Sequence, residues 1–147
     1  MNCMKKTFLL IAAALLSLAA VVVARPALTG TPKGFKGTFH NAEYQVYLTL
    51  DFIDNSVTIP GQEVLGEMPG FLGARRDTRK WPIVEVEMKS ARVARLVITN
   101  DYGSEDLEAT LTLNKDGSLT LVQGKGSDIK IVVDRKWLKL PRKLVFK

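Results

Sequence analysis

Cysteine is nearly missing from this chain: among 147 residues there is one, Cys3. It stands ahead of an apolar run that starts at Phe8, so a chain trimmed of that run has no disulfide framework and no thiol nucleophile. Histidine is equally scarce, with His40 alone. A Cys-His pair and a multi-histidine metal centre are thereby excluded. Any Ser-His-Asp triad would have to use His40, at a strand end where a lone histidine is ordinarily a surface residue. Past the apolar run no stretch carries an apolar stripe of period 3.6, which excludes an amphipathic helix, and no internal repeat is found.

What is present begins with a leader. Lys5 and Lys6 precede an apolar segment from Phe8 to Val23, closing in Val22, Val23 and Ala24. A charged start, a short apolar core and small residues at the cleavage positions describe a secretory signal peptide, residues 1–24. The apolar segment falls short of the roughly 20 residues that a spanning helix needs. Cys3 lies on the wrong side of it for a lipid anchor. Removing the leader leaves 123 of the 147 residues, one domain, and lowers the basic residues from 21 to 19 against 15 acidic ones, a net charge of +4. The expected location is secreted or periplasmic, which argues against a nucleic-acid partner.

Residues 25–35 are rich in Pro, Gly and Thr and read as a flexible lead-in to a domain spanning 36–147. From Tyr44 the chain alternates strictly, with Tyr44, Val46, Leu48, Leu50 and Phe52 on one face and Gln45, Tyr47, Thr49 and Asp51 on the other. Period two marks a strand with one buried face. The residues Ile53 to Ser56 supply a turn, and residues 56–59 read as a short returning strand. Residues 60–80 lose all periodicity; either a short strand hides near residues 63–65 or the loop has a task, such as that of a lid. Residues 81–88 resume a strand, with Val84, Val86 and Met88 on one face against Ile83, Glu85 and Glu87. Residues 93–99 return. Further strands are expected at 107–113, 119–122 and 129–133, and residues 144–146 as the one that closes the sheet.

The acidic segment Asn100 to Asp106 connects two of these. Ala94, Leu96 and Ile98 form an apolar face, as do Leu107, Ala109, Leu111 and Leu113, and the two must share one side of a sheet. The expected register sets Ile98 opposite Ala109, Leu96 opposite Leu111 and Ala94 opposite Leu113. The segment is then a hairpin loop built of turn-forming residues. Asp101, Glu105 and Asp106 around Gly103 also suggest calcium, although the spacing of an EF-hand loop is not met, and no metal or cofactor is expected.

About eight short hairpin-linked strands without a helix predict an all-β antiparallel meander, closed or nearly closed into a barrel, with a β-sandwich as the alternative. Through "GFKGTF" at residues 34–39, the hairpin order and the size, the chain resembles the lipocalin and calycin-like secreted barrels. That resemblance implies binding of a small hydrophobic molecule and no chemistry.

Candidate sites are few. Glu85 and Glu87 share a strand face from which a glycosidase pair is conceivable, yet a solvated sheet face carries such pairs routinely. In the 60–80 loop, Arg75, Arg76 and Arg79 suit a carboxylate or phosphate, and Trp81 suits stacking on the body of the same ligand. Trp137, among Arg135, Lys136 and Lys139, reads as a core tryptophan with solvated neighbours. The expected function is a non-enzymatic, monomeric secreted barrel that binds a small apolar or anionic ligand at Arg75, Arg76, Arg79 and Trp81. The alternative is a surface-recognition module for an envelope protein or glycan. An outer-membrane barrel needs strands of about 9 to 11 residues, longer than most of these.

Overall fold

The computed structural model describes residues 33–147. The expected leader at 1–24 and the expected lead-in up to residue 32 lie outside the described residues. The strands are β1 (Lys36–Asn41), β2 (Val46–Asp51), β3 (Val57–Thr58), β4 (Glu67–Met68), β5 (Gly70–Ala74), β6 (Lys80–Met88), β7 (Val93–Thr99), β8 (Asp106–Leu113), β9 (Leu119–Gly126), β10 (Lys130–Val133), β11 (Lys136–Lys139) and β12 (Lys143–Phe146). Eight of them form one antiparallel sheet in the order β1-β2-β5-β6-β7-β8-β9-β12. Its first and last strands meet: His40 and Lys147 exchange backbone hydrogen bonds of 2.8 Å, and Asn41 Nδ2 donates to the Val145 carbonyl at 3.0 Å. The sheet is therefore a nearly closed barrel and not a sandwich, compatible with a lipocalin-like topology.

Alternation fills it. Leu48 of β2, Leu72 of β5, Leu96 of β7, Leu111 of β8, Leu121 of β9 and Phe146 of β12 each expose 0 % of their surface. A chamber wide enough for water would leave its lining accessible; around these side chains there is none. Phe35, just before β1, is equally buried and stacks on Phe52 with ring centroids 5.4 Å apart. The eight-stranded barrel is thus of the kind that its own side chains fill.

Two excursions interrupt the meander. Residues 52–69, carrying the β3–β4 hairpin, fold against the outer surface, where Val57 and Ile59 pack on Phe71 with Tyr47 and Met68 beside them. Residues 127–142, carrying the β10–β11 hairpin, send Ile129, Ile131 and Leu140 into the main core.

The structure departs from the sequence reading in five places. Residues 63–65 form a single 3-10 turn and not a strand. The strand hidden in the glycine-rich segment is β5, buried along its length between β2 and β6. Residues 56–59 do not return along β2; Val57 and Thr58 pair with Met68 and Glu67. On β6 a bulge between Ile83 and Glu85 turns Val84 outward, so Trp81 and Ile83 share the inner side with Val86 and Met88. In the β7–β8 hairpin Ile98 faces Leu107, Leu96 faces Ala109 and Ala94 faces Leu111, two residues away from the expected register. A shift of two keeps every side chain on its side of the sheet. It occurs because the Asn100 amide and the Thr99 hydroxyl both donate to the Glu105 carbonyl, closing the loop early.

Asp51 ties the first excursion to the barrel. It is 2 % exposed and accepts hydrogen bonds from the Ser56 hydroxyl, the Asp54 amide at 2.9 Å and the Ile53 amide at 3.1 Å, with Lys36 Nζ at 3.7 Å. The Ser56 hydroxyl, then the Asp54 amide, hold its carboxyl well below the usual 3.8, at about 2. Because the folded value is depressed, this carboxylate stabilises the fold fully above pH ~4 and loses that contribution as pH falls towards 2. Chemical denaturation of wild type and Asp51→Asn should give stability curves that converge over that interval and stay apart above it. Parallel curves would assign the acid sensitivity elsewhere. A second variant tests β5: a Cβ at Gly70 would run into the Thr49 carbonyl oxygen. Gly70→Ala is expected to cost about 1–3 kcal/mol in urea unfolding.

Candidate functional site

An antiparallel meander puts alternate connections at one end of the barrel. Here these are residues 42–45, 75–79 and 100–105, together with the β10–β11 excursion. Carboxylates and one buried amide hold them together. Asp77, its side chain 5 % exposed, accepts the Val132 amide at 2.9 Å and pairs with the Arg79 guanidinium at 3.2 Å, fastening β10 to the β5–β6 connection. Asp101 Oδ1 accepts the Lys80 amide and Gln62 Nε2, each at 2.7 Å, so the tip of the outer excursion is anchored here too. Glu105 pairs with Lys130 at 3.2 Å. At the base of the hairpin the buried Gln123 accepts the Ile129 amide at 2.9 Å and donates to the Pro141 carbonyl at 3.1 Å.

Between these segments lies a shallow cleft of about 50 Å³, lined by Arg79, Lys80, Trp81, Asn100, Asp101, Tyr102, Glu105, Lys130 and Trp137. Trp137 and Tyr102 are 59 % and 84 % exposed. The Arg79 guanidinium sits 4.9 Å and the Lys130 ammonium 5.3 Å from the centre of the Trp137 ring. At such distances both cations are attracted by the electron-rich ring face and hold the indole in place.

The four residues singled out from sequence divide. Arg79 and Trp81 line the cleft, but Arg75 and Arg76 do not. Both are exposed; the Arg75 backbone donates to the Gln45 carbonyl and the Arg76 side chain to the Tyr44 carbonyl at 3.3 Å. Trp81 is 3 % exposed and its indole N–H donates to the Lys130 carbonyl at 3.2 Å, so it braces the cleft floor with no face to offer. The two tryptophans have exchanged the expected parts. A signal for this lay in the parity: Leu138 and Leu140 share an inward phase, which turns Trp137 outward, while Trp81 shares its phase with Ile83.

The other candidates lie elsewhere or are engaged. His40 is exposed on β1, its ring 6.3 Å from that of Tyr47. Glu87 pairs with Lys89 at 2.9 Å and with Arg95 at 3.8 Å, and the Lys89 hydrogen bond holds its carboxyl below the usual range; Glu85 beside it is solvated. Of the acids suggested for calcium, Asp101 and Glu105 are committed to protein donors and Asp106 opens β8. Among the described residues no three His, Cys, Asp or Glu side chains gather as a metal site.

The turn presenting Trp137 is strained. Asp134 and Arg135 have φ of 52° and 65°, the pattern of a two-residue hairpin turn that favours glycine at its second position. Arg135→Gly is expected to raise stability by about 0.5 kcal/mol in thermal unfolding, a left-handed side chain being removed. A loss would mean that the Arg135 side chain contributes a contact that offsets its backbone.

Comparisons with protein-family models, with curated proteins and with solved structures find no match to this chain.

Proposed function

We propose that this chain is an exported, non-catalytic recognition protein that takes its ligand, an envelope glycan or protein, on the outside of a solid barrel, at the cleft between Trp137 and Tyr102. One contrast carries the reading: the central inward side chains, Leu48, Leu72, Leu96, Leu111 and Leu121 among them, have no accessible surface, while two large aromatic residues stand exposed on one cleft. Monomers seldom leave aromatic side chains in water beside a built cleft without a partner for them, and tryptophan, tyrosine and arginine dominate recognition surfaces.

A small apolar ligand inside the barrel is the competing use of such a fold. Sites for molecules of that kind measure about 300–1,000 Å³, whereas Leu48, Leu72, Leu96, Leu111 and Leu121 meet inside the barrel with no accessible surface. Entry to the interior would require displacing packed leucines. In this reading the likeness to lipocalin-like barrels extends to strand order and ends at the interior.

Two measurements test the proposal. Titration with anilinonaphthalene sulfonate or palmitate should give no saturable uptake. Binding to envelopes of the encoding organism should weaken by about tenfold or more in Trp137→Ala, the loss of a central aromatic contact. Saturable uptake of the apolar probe, or envelope binding indifferent to Trp137, would count against it.

A further inference from the structure

We infer that the ligand of this surface is a neutral saccharide lying across Trp137 and Tyr102, an inference that rests on the recognition reading above. A sugar ring makes two demands. Its faces present polarised C–H groups, which the electron-rich face of an indole or phenol attracts. Its hydroxyls both donate and accept, so the lining must offer donors and acceptors together.

The cleft meets both. Exposed Trp137 and Tyr102 supply the faces. Arg79, Lys80 and Lys130 carry donors, and Asp101 carries the acceptor. Asp101 commits Oδ1 to Gln62 and Lys80 and, among the described residues, has no partner at Oδ2.

Charge gives an acidic ligand little hold. Two of the three cations are already paired, Arg79 with Asp77 and Lys130 with Glu105, and the third, Lys80, shares the lining with the Asp101 carboxylate. The same pairing disfavours an anionic membrane surface. At about 50 Å³ the cleft is far smaller than a site that encloses its ligand, so a ligand is crossed and not swallowed. A glycan chain passing over an aromatic platform fits that shape. The cations over Trp137 fix the ring before the ligand arrives, which lowers the ordering cost of binding.

The two tryptophans provide the test. Their indole N–H signals are separable by nitrogen-proton correlation spectroscopy, Trp137 reporting the exposed face and Trp81, bonded to Lys130, the buried floor beneath it. The full mature chain is titrated with neutral gluco-, manno-, galacto- and chito-oligosaccharides, with phosphatidylglycerol vesicles, and with envelopes of the encoding organism treated with either protease or periodate. The expected result is a saturable movement of the Trp137 signal with a neutral oligosaccharide, or with protease-treated but not periodate-treated envelopes. Response to oligosaccharides identifies a free sugar as sufficient; response to envelopes alone identifies a surface-bound glycan. Trp137→Ala should bind about tenfold more weakly and Trp137→Phe within about threefold of wild type, because a smaller aromatic face remains. Movement with periodate-treated but not protease-treated envelopes would overturn the saccharide and leave recognition of a protein standing. Movement with vesicles alone would overturn it in favour of lipid. A Trp137 signal that no probe moves would overturn both readings.

Discussion

The packing of side chains across the barrel interior is the constraint on which everything else rests. Each strand delivers every second residue inward, and in the main core those residues are leucine, isoleucine, valine, alanine and phenylalanine, with Trp81 braced through its N–H. Burial of apolar surface at about 25 cal/mol per Å² is the dominant source of stability available to a domain without disulfides. A filled interior also has a functional consequence. A barrel that is stable because it is solid has no chamber to lend, and the proposed recognition falls to its connections.

Those connections are held by a different chemistry. Asp77, Asp101 and Gln123 each satisfy backbone amides or carbonyls from a segment distant in sequence. A loop end is thereby built like a small polar core, with acids serving as fasteners. The acidic loop that looks reactive in the sequence is used in this way: Asn100 accepts the Ser104 and Glu105 amides, Asp101 gathers two neighbouring segments, and Glu105 holds Lys130. Rigid connections then carry Trp137 and Tyr102 into solvent at little further ordering cost.

How much of this was readable beforehand depended on which physical rule was in force. Strict alternation over residues 44–52, 93–99 and 107–113 revealed the strands and their inner faces, because parity is local. Pairing register is not local. Alternation permits shifts of two, and the choice between them rested on how the Glu105 carbonyl closes its loop. Strand β5 was hidden because Gly70 and Gly73 look like loop residues, yet both sit where a neighbour, Thr49 or Tyr47, leaves no space for a side chain. Asp51 alternates onto the outer face but is buried by the excursion that its own carboxylate ties down. At the site, Arg79 was visible from sequence. Trp137 was visible too, yet its exposure depended on reading the phase of Leu138 and Leu140 on a short hairpin. The contribution of Gln62, from a segment that folds along the outside of the barrel, had no local signal at all.

Solidity of the barrel is the central claim, and a crystal of the protein pressurised with xenon tests it most directly. Xenon enters apolar cavities large enough to hold it and leaves close-packed interiors empty. The expected result is no xenon between Leu48, Leu96 and Leu121. An occupied site there would contradict the claim and return the ligand to the inside.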